Sequence, residues 1–434
     1  MLVSIVSLAS CDDSGTVVLR PAAPDASGPD VGAALGPFGD SPPITRTSSV
    51  AGLSDRVDVV RDTHGFVHIW AVTSADALRV EGYQVARDRT SQLELLRRFA
   101  EGRIAEILGD LDPTLIDQDI AMRMIGLQRV AQQMYDAVPA GSELRTWIDA
   151  YASGISQFFA RLQTGEESLP SAMVGIPRSA FTPWTGVDSL AIARLIGWEL
   201  QYTGDSEIAQ TDFVQTARTT WAGSKRGGFN VDVLRFAPQD PTLAMAGFPN
   251  DPSDSHAPAP ARTPRADRSD VRPKAAPPSP RVAPELLAGA RPFIRAAEGL
   301  RQKLGKLGVR GSNDWVVGPS RTATGHAMLA NDPHLQLSSP PLFWMVELDV
   351  HDPSATDTSL DLHAAGSVFP GIPGVILGFN QNVAWGGTTT DYDASDVYTE
   401  RLTPDGSAVV FKGKSVPLQT VHEVINVAGG SPVS

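Results

Sequence analysis

The chain has 434 residues, of which 42% are hydrophobic and 20% charged, so it is long enough for a large buried core and for two or three domain-sized pieces. Its 36 basic and 49 acidic residues give a formal net charge of −13, which argues against a nucleic-acid partner. No apolar run reaches the roughly 18 residues that a membrane-spanning helix needs.

The single cysteine, Cys11, excludes an internal disulfide and a thiolate zinc cluster. It lies two positions after the apolar stretch of residues 2–9. The segment Leu8-Ala9-Ser10-Cys11 resembles the lipobox of bacterial lipoproteins, in which the cysteine is lipidated. No charged residue precedes this stretch, so an ordinary apolar leader, or a start further upstream, is the alternative. Both alternatives predict export, to the periplasm or to a lipid tether at the membrane.

Residues 1–49 are predicted to form this leader and a disordered tether, because residues 12–50 are rich in Gly, Pro, Ser and Ala and have no helical or strand periodicity. Regular structure is expected from Arg56, with two short strands around a turn at His64-Gly65. Residues 50–248 are predicted to be mainly helical from there on.

The first of these helices is capped by Ser74, and its apolar spacing continues to a stop near Gly109. Single helices are predicted over residues 116–138 and 143–162. A turn at residues 183–186 precedes another apolar helix, for which Asp188 is the predicted cap.

Residues 249–311 form a predicted spacer, since ten of the 34 prolines lie between Pro249 and Pro284. Such a stretch is exposed and easily cut, and a short helix over residues 285–306 follows its proline-rich part. From Ser312 to residue 434 the pattern becomes strand-like. Strands are predicted in the segments WVVG, HAMLA, FWMVELDV, GVILGFN, NVAWGGTT, DVYTERL, AVVFKG and HEVINV.

The chemistry of a serine hydrolase requires a base beside the hydroxyl and donors for the oxyanion. No G-x-S-x-G motif is present, and the eight histidines are too scattered to identify a triad from spacing. A serine at the start of a chain has another base available. Its own α-amino group, with a pKa of about 7.7 to 8.0, suits neutral pH.

Several ordered motifs carry a family resemblance: GSNDWVVGPSRTATGHAMLANDPHLQL over 311–337, FPGIPG over 369–374, AWG over 384–386 and, on the other side of the spacer, RDTHGFVHIWA and GYQVARDRTSQLELLRRFAEGRIAEILG. These motifs resemble the penicillin acylase family of N-terminal nucleophile hydrolases, over roughly residues 55–248 and 311–434. The resemblance implies an α+β fold, the four-layer αββα sandwich of that class. Residues 50–248 then correspond to the α subunit and residues 312–434 to the start of the β subunit.

By this resemblance the bond between Gly311 and Ser312 is broken autocatalytically, and Ser312 becomes both amino terminus and nucleophile. Glycine suits the preceding position because its carbonyl is accessible and its backbone tolerates distortion. His334 matches the histidine that contacts the nucleophile in the branch containing cephalosporin and acyl-homoserine lactone acylases. Thr389 matches the residue whose backbone amide helps to form the oxyanion hole.

No organic cofactor is implied, but the resemblance implies one structural Ca²⁺, whose ligands would be Glu207, Asp393, the Ser395 carbonyl and Asp396. Carboxylate and carbonyl oxygens are the ligands that calcium requires. The alternative is that these aspartates form turns or a solvated surface.

The implied function is that of a zymogen whose α and β chains stay associated after cleavage. It would hydrolyse linear amide C–N bonds of a small-molecule acyl amide: a β-lactam side chain (antibiotic catabolism), an acyl-homoserine lactone (quorum quenching) or a lipopeptide. The family's β subunit continues well beyond position 434. This chain is therefore expected to be truncated within the β subunit and to have little activity alone.

Two alternatives from other classes remain. The first is an inactive truncated homologue or a non-catalytic exported lipoprotein that keeps the fold. The second, more distant, is a zinc hydrolase, although the NDPH and HDP segments lack two histidines at metal-ligand spacing.

Overall fold

A computed structural model of the chain describes residues 15–21, 44–201, 204–220, 282–303, 312–335, 338–352, 354, 361–388 and 396–434. These residues form both helices and antiparallel and parallel sheets, which confirms the expected α+β class. They group into two compact units, one drawn from 1–203, 295–396 and 402–434, the other from 204–294 and 397–401. The first unit therefore combines residues from both sides of Ser312.

The helices of the described residues are, in chain order, α1 (Ser74–Glu101), α2 (Ala105–Leu108), α3 (Thr114–Ile125), α4 (Leu127–Ala137), α5 (Glu143–Thr164), α6 (Gly186–Glu199), α7 (Gly204–Thr220) and α8 (Pro284–Lys303). None of them combines the length and the apolar composition that crossing a membrane requires.

Local capping chemistry determines where these helices begin and end. The N-cap of α1 is Thr73, whose hydroxyl accepts a hydrogen bond from the Asp76 amide, so the prediction of Ser74 as the cap is wrong by one residue. The N-cap of α6 is Thr185, so the prediction of Asp188 as the cap is wrong by three residues; Asp188 is the N3 residue of a reciprocal capping box with Thr185. The single helix predicted over 116–138 is also wrong, because Gly126 adopts a left-handed conformation with φ of 80° and separates α3 from α4.

The strands are β1 (Gly15–Pro21), β2 (Ile44–Val50), β3 (Val57–Arg61), β4 (Val67–Ala71), β5 (Ser312–Val317), β6 (Met328–Pro333), β7 (Trp344–Val350), β8 (Leu362–Val368), β9 (Leu377–Phe379), β10 (Ala384–Trp385), β11 (Ala408–Phe411) and β12 (Lys414–Pro417). Within the described residues, the main sheet has the order β10-β9-β8-β7-β4-β3-β1-β2, whereas β5 pairs with β6 and β11 with β12 in separate hairpins. The predicted hairpin around His64-Gly65 is the antiparallel pair β3–β4.

The predicted strand pattern needs four corrections. Residues 15–21 and 44–50 form β1 and β2, so the tether prediction is wrong for them. β8 and β12 were not predicted. The segment 397–401 contains no strand, and residues 422–427 contribute only an isolated bridge at Ile425.

The core of the first unit lies where α1 and α5 cross and where α1 packs on β4 and β7. The helices approach closely because Gly154 has no side chain: a Cβ there would lie 1.9 Å from the backbone oxygen of Arg79. Charged groups of α1 are buried in the same region and are paired, as burial requires. Glu94 bonds to both Arg97 and Arg98, and the guanidinium of Arg97 lies over aromatic rings.

Candidate active site

The β5–β6 hairpin brings the predicted nucleophile and histidine to the same end of a two-stranded sheet. Ser312 is the first residue of β5 and pairs with Pro333, the last residue of β6, while Asn313 pairs with Asp332. The strand pairing thus brings Ser312 close to Pro333, the residue before His334, although Ser312 and His334 are 22 positions apart in the chain. The register places Ser312 opposite the residue before His334, and the assignment of both residues to one catalytic site stays a prediction.

His334 directly follows β6, and its Nε2 lies 3.0 Å from Oδ2 of Asp332 and 3.3 Å from Nδ2 of Asn313. A protonated Nε2 donates to the carboxylate, whereas an unprotonated Nε2 accepts from the amide, so the two contacts belong to different protonation states. The imidazole therefore lies beside the residue that follows Ser312. Its direct contact with the Ser312 hydroxyl stays a prediction.

The backbone around Ser312 is held by the segment that follows β10. The hydroxyl of Thr388 donates a hydrogen bond of 2.9 Å to the carbonyl oxygen of Ser312. Thr388 directly precedes Thr389, the predicted oxyanion donor. Thr389 itself, like Gly311, lies outside the described residues, so both assignments stay predictions.

Asn331 connects the same two parts of the site, and the sequence reasoning gave it no role. Its Nδ2 donates to the carbonyl oxygens of Asn313 (3.1 Å) and Gly387 (2.9 Å), and its Oδ1 accepts from the Gly387 amide at 3.2 Å. Gly386 allows this approach, because a Cβ at that position would lie 2.9 Å from Cβ of Asn331. An asparagine in the motif NDPH was the only sequence signal for this contact.

The FPGIPG segment (369–374), another of the motifs shared with the family, is hydrogen-bonded to two buried side chains of the helices. Glu81 of α1 accepts hydrogen bonds from the Gly374 amide at 3.2 and 3.1 Å, and the Tyr151 hydroxyl of α5 accepts one from the Gly371 amide at 3.1 Å. Burial raises the pKa of the Glu81 carboxyl to about 8, against the lowering effect of the Gly374 amide. The backbone φ angle is 99° at Gly371 and 81° at Gly374, and this left-handed region favours glycine at both positions.

A second group of ionisable side chains lies on neighbouring strands of the main sheet. His68 of β4 hydrogen-bonds through Nδ1 to Glu347 of β7, and Nε2 of His363 lies 3.5 Å from the other oxygen of that carboxylate. The bond to Glu347 raises the pKa of His68, while the same bond lowers the pKa of Glu347. This arrangement is that of an ion pair bridging two strands.

The predicted calcium ligands are only partly described. Glu207 lies in the first turn of α7 and Asp396 is exposed, but Asp393 and Ser395 lie outside the described residues, as does Cys11, the predicted lipidation site. Within the part of the chain that the structure covers, no group of three or more His, Cys, Asp or Glu side chains is arranged to hold a metal ion. The calcium assignment stays a prediction.

Comparison with known families tests the resemblance directly. The penicillin amidase family model matches residues 56–434. The chain belongs to the penicillin amidase family. This membership, together with the mixed helices and sheets, agrees with the expected N-terminal nucleophile hydrolase class.

Three curated relatives of the family illustrate its range. Acyl-homoserine lactone acylase QuiP from Pseudomonas aeruginosa is 28% identical over 404 residues, covering 91% of this chain and 41% of that protein. Penicillin acylase 2 proenzyme from Pseudomonas sp. (strain SE83) is 28% identical over 394 residues, covering 90% and 43%. Penicillin G acylase from Escherichia coli is 26% identical over 400 residues, covering 87% and 44%.

The chain thus spans about two fifths of the length of these family members. Among solved structures, the thermostable penicillin G acylase from Alcaligenes faecalis matches with 23% sequence identity and a TM-score of 0.34, covering 41% of this chain and 90% of that chain.

Proposed function

We propose that this chain contains the self-processing and nucleophile-bearing part of an amide hydrolase that removes acyl groups from small-molecule amides. The observation that carries the proposal is Ser312 at the start of β5, with its carbonyl bonded to Thr388 and with His334 beside the next residue. Membership of the penicillin amidase family supports the reaction type. The names of the relatives support acyl-homoserine lactones and penicillins as substrate classes.

Processing begins when the Ser312 hydroxyl attacks the Gly311 carbonyl. The acyl group moves from nitrogen to oxygen, the peptide bond breaks, and the nitrogen becomes the free α-amine of Ser312. Water then hydrolyses the ester, which releases residue 311 as a carboxylate and restores the hydroxyl. Cleavage therefore creates the base that catalysis requires.

Turnover uses the same hydroxyl on a substrate amide. The α-amine of Ser312, whose ordinary pKa is about 7.7 to 8.0, accepts the hydroxyl proton as Oγ attacks the acyl carbonyl. Backbone amide donors stabilise the oxyanion, and Thr389 is the proposed donor. The amine product leaves with the proton, and water then releases the acyl group as a carboxylic acid.

The two chains produced by cleavage are proposed to stay associated. This proposal is supported by the main sheet, in which β4, from before the junction, pairs in parallel with β7, from after it, in the register Val67↔Val346. Further proposals are export, lipidation of Cys11 and one bound Ca²⁺ with Glu207, Asp393, Ser395 and Asp396 as ligands. Mass analysis of membrane-extracted protein tests the lipid, and metal analysis after dialysis tests the calcium.

The function is tested with the full polypeptide that the gene encodes, assayed on an N-acyl-homoserine lactone and on a phenylacetyl anilide. We expect amine release by the wild type, none by Ser312→Ala, and wild-type rates for Ser320→Ala, whose exposed serine lies in the turn after β5. An active Ser312→Ala variant, or a wild type that is inactive on both substrates, contradicts the proposal. The second result favours a non-catalytic lipoprotein with this fold.

A further inference from the structure

Asn331 hydrogen-bonds both to the backbone of β5 and to the backbone of Gly387, using its donor and its acceptor at once. We propose that Asn331 is a positioning residue for the Ser312 nucleophile, because its amide fixes the separation between the start of β5 and the segment Gly386–Gly387–Thr388. The inference rests on the proposed function and assigns a further residue to the same site.

The chemistry of the contact requires an amide. Nδ2 has two hydrogens and donates to two carbonyl oxygens, those of Asn313 and Gly387, while Oδ1 accepts from the Gly387 amide. An aspartate of nearly the same shape keeps the acceptor and loses both donors. Its carboxylate would then face two carbonyl oxygens at about 3 Å without a hydrogen between them, which is repulsive.

The backbone of Asn331 is itself fixed. It pairs with Asp314 in the β5–β6 ladder, so the side chain extends from a strand whose register against β5 is set. The side chain then reaches across to Gly387, 56 positions further along the chain. A Cβ on Gly386 would lie 2.9 Å from both Cβ and Cγ of Asn331, so the two backbones approach as closely as a glycine permits.

The consequence for catalysis follows from the next residue. Thr388 donates to the carbonyl oxygen of Ser312 at 2.9 Å, so the segment that Asn331 holds is the segment that contacts the nucleophile. A displacement of about 1 Å between catalytic groups costs on the order of 100-fold in rate. Loss of the two donors is therefore expected to slow the chemistry without weakening substrate binding.

The test compares Asn331→Asp with the matched control Asn380→Asp in the full polypeptide encoded by the gene. Asn380 uses only its Oδ1, which accepts from the amides of Asn382 and Val383, so an aspartate preserves its contacts. For Asn331→Asp we expect cleavage before Ser312 and kcat on the acyl amide each to fall at least tenfold, with KM within about twofold and a melting temperature lowered by no more than a few degrees. Asn380→Asp is expected to match the wild type in all four measurements.

Wild-type maturation and kcat in Asn331→Asp overturn the inference. So does a loss of activity that follows a lower melting temperature and a raised KM, because that pattern describes a merely structural residue. If Asn331→Asp does not fold, Thr388→Val decides: it removes the hydroxyl that donates to the Ser312 carbonyl oxygen, and an unchanged kcat overturns the inference. An active Ser312→Ala variant in the same series instead contradicts the proposed function, so the two failures are distinguishable.

Discussion

The α1–α5 helix pair and the β5–β6 hairpin are held together by different forces. In the helix pair the side chains of Tyr151 and Phe159 are 0% exposed, and charged groups are buried in paired form. In the hairpin Trp315 is 66% exposed and Val316 73% exposed, so the strand ladder and side-chain bonds to backbone fix the geometry. Substitutions in the helices should therefore change stability, whereas those around Ser312 should change chemistry.

The largest effect is expected at the helix crossing. Gly154→Ala places a Cβ 1.9 Å from the Arg79 backbone oxygen and 2.8 Å from the Tyr83 amide nitrogen, so the helices must separate. We expect the free energy of unfolding to fall by about 3 kcal/mol, the upper end of the usual cost of overpacking. Chemical denaturation of the purified chain measures this difference.

The matched control is Gly197→Ala in α6, where a Cβ would meet no atom within 4 Å apart from the neighbouring residues and backbone of its own helix. There the free energy of unfolding should rise by about 0.5 to 1 kcal/mol, because alanine is the better helix former. Equal effects at the two glycines would show that close helix approach does not determine the stability of the helix pair.

A smaller, pH-dependent effect is expected at Glu81. Its pKa in the folded chain, about 8, lies above its ordinary value of 4.5, so the folded state binds more protons between these values. The wild-type free energy of unfolding therefore falls as pH rises from 4.5 to 8, whereas Glu81→Gln lacks this loss. We expect the variant to be more stable than wild type by roughly 1 to 3 kcal/mol at pH 9 and equal to it near pH 5.

Thermal or denaturant unfolding across this pH range measures the effect at Glu81. Exposed Glu143 at the start of α5 provides the control, since Glu143→Gln should give a curve parallel to that of the wild type. Parallel curves for Glu81→Gln and wild type would mean that the carboxyl is ionised throughout, contrary to its full burial.

The smallest effect is expected in the hairpin. Trp315→Thr keeps a β-favouring residue at an exposed position of the chain formed by residues 1–434, so its free energy of unfolding should change by no more than about 0.5 kcal/mol. Trp344→Thr is the buried counterpart in β7, where the indole is 3% exposed and donates to Asp88. Trp344→Thr should lower the free energy of unfolding by roughly 3 to 5 kcal/mol. Similar losses for both tryptophans would show that burial of the side chain does not determine its contribution to stability.

The sequence predicted the features that depend on neighbouring residues. The β3–β4 hairpin followed from the turn at His64-Gly65, and α6 followed from the turn at residues 183–186, although its N-cap is Thr185 and not Asp188. β8 was missed because its sequence, LHAAGSV, is poor in β-formers and becomes a strand by pairing with β7. The segment DVYTERL has strand-like composition, yet its residues 397–401 are not in a strand.

The candidate site likewise has one part that the sequence predicted and one part that it did not. Ser312 and His334 were predicted from motifs, and the β5–β6 register pairs Ser312 with Pro333, the residue before His334. The role of Asn331 was not predicted, since its contact with Gly387 joins residues 56 positions apart that no local pattern connects.

Whether cleavage before Ser312 activates the enzyme is tested by the intact mass of the full polypeptide encoded by the gene, measured during incubation at neutral pH beside its Ser312→Ala variant. We predict that the wild type yields a chain beginning at Ser312, that this chain appears together with amide hydrolysis, and that the variant stays uncut. Acyl amide hydrolysis by a polypeptide that remains uncut would show that the free α-amine of Ser312 is not the catalytic base.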